Sequence, residues 1–175
     1  MSSLQIKPYI TEEKIKAKVQ DIGAQITKKL EGKPVTAICV LKGSFIFFSD
    51  LIRNVDLDIT CEFFGVSSYQ GTSTSGEVKV TLDLTKPIEN QHVLLVEDIV
   101  DTGLTMNYLK NSILSRKPAS LTTVALLHKP EALKVPCELD YVGFKITNEF
   151  VVGYGLDYEG FYRNLPYIGQ VQNFQ

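Results

Sequence analysis

Three mostly apolar runs, VTAICVL at 35–41, HVLLV at 92–96 and LTTVALL at 121–127, stop at turn-forming or charged residues, and helix-spaced segments lie between them. A strand with no polar face must be covered on both sides, so these runs predict a mostly parallel sheet flanked by helices, an α/β fold. The helices are equally readable. Ile15, Val19, Ile22, Ile26 and Leu30 follow Thr11-Glu12-Glu13 at intervals of three and four, and Gly32 and Pro34 close that segment. Lys42-Gly43-Ser44 opens a second helical stretch, FIFFSDLIR. Met106, Leu109, Ile113 and Leu114 mark a third, which ends at Pro118.

Two further strand-like segments, 59–66 and 77–84, flank the Gly/Ser/Thr-rich stretch SSYQGTSTSG, which predicts an antiparallel pair joined by a long loop. DYVGFKI and EFVVGYGL read as later strands, followed by a short aromatic tail. No repeat or linker divides the 175 residues, and a chain of this length buries roughly 70% of its unfolded surface, so one domain over 1–175 is expected.

Charge and cysteine content narrow the function. Eighteen basic against twenty acidic residues give a net charge of −2, with no basic run, which argues against nucleic acid as a partner. No stretch approaches the ~18 apolar residues of a membrane span, and the first residues lack the pattern of a signal or transit peptide. A cytoplasmic location is expected. Cys39, Cys61 and Cys137 form no CxxC pair, and His92 and His128 read as structural, so neither zinc nor a disulfide framework is expected.

In open α/β sheets ligands bind beyond the carboxyl ends of the strands. After VLLV the chain reads Glu97-Asp98-Ile99-Val100-Asp101-Thr102-Gly103-Leu104-Thr105. A turn from strand into helix with a Gly, two hydroxyls and free N–H groups can cradle a phosphate. The competing reading makes Thr102 a helix cap and Gly103 incidental. No Gly-Lys-Ser/Thr or GxGxxG pattern is present. Glu97 and Asp98 would repel a phosphate unless ribose hydroxyls or Mg²⁺ stand between, so the ligand expected is a phosphorylated ribose bearing pyrophosphate.

VLLVEDIVDTGLT resembles the phosphoribosyl-pyrophosphate signature of the type I phosphoribosyltransferases. LKGSFIF, SSYQGT, LLHKP and FVVGYGLDYEGFYRNLP resemble the hypoxanthine-guanine branch of that family, over nearly all of the chain from about residue 35. The resemblance implies the type I fold, with a small hood at about 145–175 and a flexible lid at about 67–76 that includes Ser68 and Tyr69. It implies that Glu97 and Asp98 hold the ribose hydroxyls and a metal, that Asp101, Thr102, Gly103, Leu104 and Thr105 cradle the 5′-phosphate, and that Asp101 is the catalytic acid/base. Lys42, Gly43 and Arg163 would meet pyrophosphate. Lys129, Phe150, Val151 and Asp157 would form the purine site, with Asp157 also supporting Mg²⁺. A cis Leu41-Lys42 peptide and a homodimer or homotetramer are implied as well.

Each role has a plainer competitor: Lys129 as a solvated lysine, Phe150 as core, Asp157 and Arg163 as a surface pair. Ser44 stands where many relatives carry a second Gly, and Pro130 directly follows Lys129. A xanthine- or adenine-preferring transferase and a nucleotide-sensing RNA-binding regulator on the same fold are the alternatives.

Overall fold

The computed structural model describes residues 4–68 and 78–172. Thr11 caps the first helix, α1 (Glu12–Lys29), accepting from the Lys14 amide at 3.4 Å, and Glu12, Glu13, Lys28 and Lys29 complement its dipole. Ile15, Val19, Ile22 and Ile26 are its buried stripe. It follows a short strand, β1 (Ile6–Ile10), which the sequence reading missed.

The three apolar runs are strands β2 (Val35–Leu41), β5 (His92–Val100) and β6 (Ser120–His128). With β3 (Ile59–Ser68), β4 (Val78–Leu82) and β7 (Tyr141–Lys145) they form a six-stranded sheet in the order β4-β3-β2-β5-β6-β7. All neighbours are parallel except β3 and β4, which are antiparallel as expected. Alternation along the runs feeds two cores. Ala37, Cys39, Leu94 and Val96 pack under α1 and α2 (Phe45–Ile52), while Ile38, Val40, Val93 and Leu95 pack under α3 (Leu104–Leu114). Apolar strands without a polar face are the direct result.

A second, three-stranded antiparallel sheet has the order β1-β9-β8, from β8 (Val151–Val152) and β9 (Ile168–Val171). The hood is therefore not built from the C-terminal segment alone. The long strand expected in EFVVGYGL is only two residues, because Gly153, Tyr154 and Gly155 turn the chain with φ of 97°, 51° and 103°. No helix among the described residues is long and apolar enough to cross a membrane.

Candidate active site

The chain leaves β2 to build β3 on one side and β5 on the other, so the strand order reverses between β2 and β5. A crevice opens at such a point because the connections leave on opposite faces. Both turns singled out in the sequence lie there. Lys42, Gly43, Glu97, Asp98, Asp101, Thr102, Gly103, Thr105, Asp157 and Arg163 line one cleft of about 390 Å³. Leu104 is outside that lining, and as the exposed first residue of α3 it offers the cradle only its backbone.

The strand β5 runs on to Val100, so Glu97 and Asp98 are strand residues. Glu97 is buried, and its Oε1 accepts from the Asp98 amide at 3.1 Å, while its Oε2 has no partner. Burial, and then the charge of Asp98, push its carboxyl well above the usual range. Asp98 Oδ1 accepts from the Ile99 amide at 2.7 Å, and its Oδ2 lies against Gly43, where a Cβ would stand 1.5 Å away. Gly43 is glycine because Asp98 occupies its side-chain space. The Leu41-Lys42 peptide is cis, as expected.

At the other turn, Gly103 has φ 81°, and a Cβ there would meet the Val135 carbonyl at 2.9 Å. Gly103 is not incidental, since the left-handed backbone and the close neighbour both require it. Thr102 does not cap α3 from the N-cap position, which Gly103 holds; its hydroxyl accepts weakly from the Leu104 amide at 3.4 Å. The first amides of α3 face the cleft end without intrahelical acceptors, the arrangement that suits a phosphate.

Arg163 Nη2 pairs with Asp157 Oδ1 at 2.6 Å, and its Nη1 donates to the Gly155 carbonyl at 2.6 Å. Asp157 Oδ2 accepts from the Gly160 amide at 2.7 Å. The surface-pair reading is thus met in geometry, yet the pair sits in the cleft wall. Glu97, Asp98 and Asp157 do not gather into one cage: among the described residues no three or more His, Cys, Asp or Glu group closely enough to hold a metal. The physical reason is that Asp157 comes from the hood turn and is engaged by Arg163 and Gly160, while the other two belong to β5.

Lys129, Phe150 and Val151 lie outside the cleft lining. Lys129 is only 8% exposed, so the solvated-lysine reading fails, and its amide donates to the Val100 carbonyl at 2.9 Å, directly before Asp101. Its charge helps lower the carboxyl of Glu149, after hydrogen bonds from Thr147 and the backbone. Lys129 has φ −107° and ψ 84°, on the extended side imposed by Pro130. Val151 is buried in β8, and Phe150 is half-buried, its ring edge-on to Tyr158 at 5.8 Å.

Comparison with known proteins settles the family. The phosphoribosyl transferase domain model matches residues 8–159. A hypoxanthine-guanine phosphoribosyltransferase of Staphylococcus aureus is 49% identical over 93% of this chain and 92% of its own. The chain belongs to the phosphoribosyltransferase family, in its hypoxanthine-guanine branch. A Bacillus anthracis hypoxanthine-guanine phosphoribosyltransferase structure superposes with a TM-score of 0.92 at 43% identity, covering 97% of this chain and 100% of that one. A Staphylococcus aureus hypoxanthine phosphoribosyltransferase structure gives 0.91 at 47%, covering 98% and 96%. This is a transferase with the type I fold, and the matches give no support to an RNA-binding regulator or a xanthine-preferring enzyme.

Within this phosphoribosyltransferase, Tyr69 and most of the expected lid lie outside the described residues, and Ser68 closes β3. Ser44, noted in the sequence as part of a helix start and as a departure from relatives, has a structural role that the sequence did not show. It is fully buried, and its hydroxyl donates to the Val40 carbonyl and lies 3.5 Å from Cys39 Sγ, closing the turn from behind. Burial is the main cause that raises the Cys39 thiol to about 11, so Cys39 is core rather than nucleophile. No signal in the sequence showed that the apolar residues Val40 and Met106, read as strand and helix core, or Ile99 would line the cleft.

Proposed function

We propose that the enzyme joins N9 of hypoxanthine or guanine to C1′ of phosphoribosyl pyrophosphate and releases pyrophosphate, giving IMP or GMP in purine salvage. The observation that carries this reading is that a glycine turn backed by Asp98 and a helix-start phosphate turn share one cleft at the switch point. That spacing suits one ligand with phosphate at one end, ribose hydroxyls at Glu97 and Asp98, and pyrophosphate at Lys42, Gly43 and Arg163. The orphaned, buried Glu97 Oε2 is the group that a ribose hydroxyl or metal-bound water would satisfy.

The donors fit Mg²⁺ in a limited way. Carboxylate oxygens of Glu97, Asp98 and Asp157 are hard ligands, and the lack of a three-carboxylate cage suits an ion that keeps waters and takes oxygens from the substrate. When bound, Mg²⁺ supplies charge neutralisation on pyrophosphate. The chain's own residues do the rest. As the C1′ bond loosens, Lys42 and Arg163 stabilise the negative charge gathering on the departing oxygens. Asp101, exposed at the cleft, receives or returns the proton at purine N7. Closure of the 67–76 lid, through Ser68 and Tyr69, would exclude water from the activated ribose.

On the base side, the Lys129 ammonium donates to O6, Phe150 stacks on the ring, and the backbone of Val151 meets the Watson–Crick edge. Adenine carries a donor at C6 and would oppose donor to donor, so it is refused. Assembly into a homodimer or homotetramer and a cytoplasmic location are proposed on the family relationship. The test is an assay with phosphoribosyl pyrophosphate, Mg²⁺ and four purines. Turnover of hypoxanthine and guanine, lost in chelator, is expected; robust use of adenine, or xanthine as the preferred base, overturns the assignment.

A further inference from the structure

Tyr154 is the one residue with a side chain among three consecutive left-handed positions, between Gly153 and Gly155. Such a backbone is disfavoured for tyrosine and persists only where its surroundings hold it. Here they do. The Tyr154 amide donates to the Leu165 carbonyl at 2.8 Å, the ring is buried, and the phenol donates to Asp50 Oδ2 at 2.6 Å. Asp50 lies on α2, the helix that starts directly after Lys42-Gly43-Ser44. The next residue, Gly155, rests against the same turn, since a Cβ on it would stand 2.0 Å from the Gly43 carbonyl. In the other direction the turn runs into Leu156 and Asp157 and out of β8, the purine side.

We propose that the Tyr154–Asp50 hydrogen bond is a positioning pair that fixes the purine wall against the pyrophosphate turn. It rests on the transferase reading above, and it assigns Tyr154 and Asp50 a part in how the enzyme holds both substrates together, although neither touches the reacting atoms. The pair is not needed to satisfy a dry charge. The Asp50 side chain is 34% exposed, pairs through Oδ1 with Arg53, and borders an open cavity with Lys16 and Asn164. Removing the phenol hydroxyl leaves the carboxylate hydrated, so the fold survives and geometry is what changes.

The experiment uses the full chain with Tyr154→Phe, Asp50→Ala, Asp50→Asn and the double variant Tyr154→Phe/Asp50→Ala. Tyr154→Phe and Asp50→Ala are expected to raise the KM of hypoxanthine and of phosphoribosyl pyrophosphate together, each about tenfold, because the pair joins the two parts of the site. Asn keeps an acceptor, so Asp50→Asn stays near wild type, and the double variant is no worse than either single one. A second readout needs no turnover: hydrogen exchange at residues 43–45 and 153–156 should quicken together in Tyr154→Phe and Asp50→Ala but not in Asp50→Asn. Losses that add in the double variant, or a lowered melting temperature with unchanged hypoxanthine KM, would overturn the pairing. If the wild type fails to turn over purines, the transferase reading falls. Exchange then decides the pair alone, and undisturbed protection at 43–45 in Tyr154→Phe refutes it.

Discussion

Gly43→Ala tests the central contact of the cleft. The added methyl would sit 1.5 Å from Asp98 Oδ2 and 2.5 Å from its Cγ, whereas real Cβ contacts stay beyond 3.0 Å, so something must retreat by about 1.5 Å. The turn cannot yield easily, because the Gly43 carbonyl is already pressed by the Gly155 backbone. The Asp98 carboxylate therefore moves, giving up the 2.7 Å bond from the Ile99 amide and the position proposed for it at the ribose. A misplacement of about 1 Å in a reacting array costs on the order of 10²-fold, so kcat/KM for phosphoribosyl pyrophosphate should fall by about that factor. The fold should persist. Gly43 is not left-handed, so alanine is permitted by the backbone, and overpacking costs about 1–3 kcal/mol. Steady-state kinetics and thermal unfolding on one preparation make the measurement. A kcat/KM within about threefold of wild type, far short of ~10²-fold, would show that Asp98 does not act from this position.

Lys129→Met should raise the purine KM about tenfold or more while sparing phosphoribosyl pyrophosphate, since a charge-assisted hydrogen bond contributes ~1.5–3 kcal/mol; an unchanged purine KM removes Lys129 from the site. Asp101→Asn should lower kcat by ~10²–10⁴-fold with a small change in KM, and a loss confined to KM would make Asp101 a shaping residue of the turn. Asp140 gives a pH prediction. Burial raises its carboxyl, but the bonds from Lys29 at 2.6 Å and from the Thr123 amide and hydroxyl at 2.8 and 2.9 Å outweigh burial and leave it lowered. Its contribution is thus present above the unfolded value of about 3.9 and lost as pH falls through the folded one. Because the group is partly exposed, Asp140→Asn should cost under ~1 kcal/mol at pH 7 in urea unfolding, and that gap should close at acid pH. A gap independent of pH contradicts the sign.

The sheet and its three helices were legible because burial on both faces makes β2, β5 and β6 mostly apolar, with their few polar residues mainly threonines and the groups at the strand ends. The cleft floor was legible for a different reason: Lys42-Gly43 and the 97–105 segment each gather their polar groups within a few consecutive residues at a strand end. The small sheet was not. Its strands β1 and β9 meet across most of the chain, pairing Ile6 with Val171, and their short mixed sequences carry no period. Nor could spacing show that Arg163 and Asp157 pair, or that Tyr154 reaches Asp50 from 104 positions away.

That contrast has a chemical consequence. Under the proposed function, the cleft floor would recognise phosphate, ribose and pyrophosphate, whose shapes are fixed, through backbone amides and close glycine contacts that tolerate little change. The proposed purine site would instead draw on single positions from separate elements: Lys129 after β6, Phe150 and Val151 at β8, and Asp157 beyond the Gly153–Gly155 turn. Side chains on separate elements can be exchanged one at a time without reshaping the floor. The proposed assignments therefore predict that base preference changes more readily on this scaffold than phosphoribosyl recognition. The two parts touch where Gly155 meets Gly43 and where Tyr154 meets Asp50, so those contacts limit how far the wall can be altered before the floor responds.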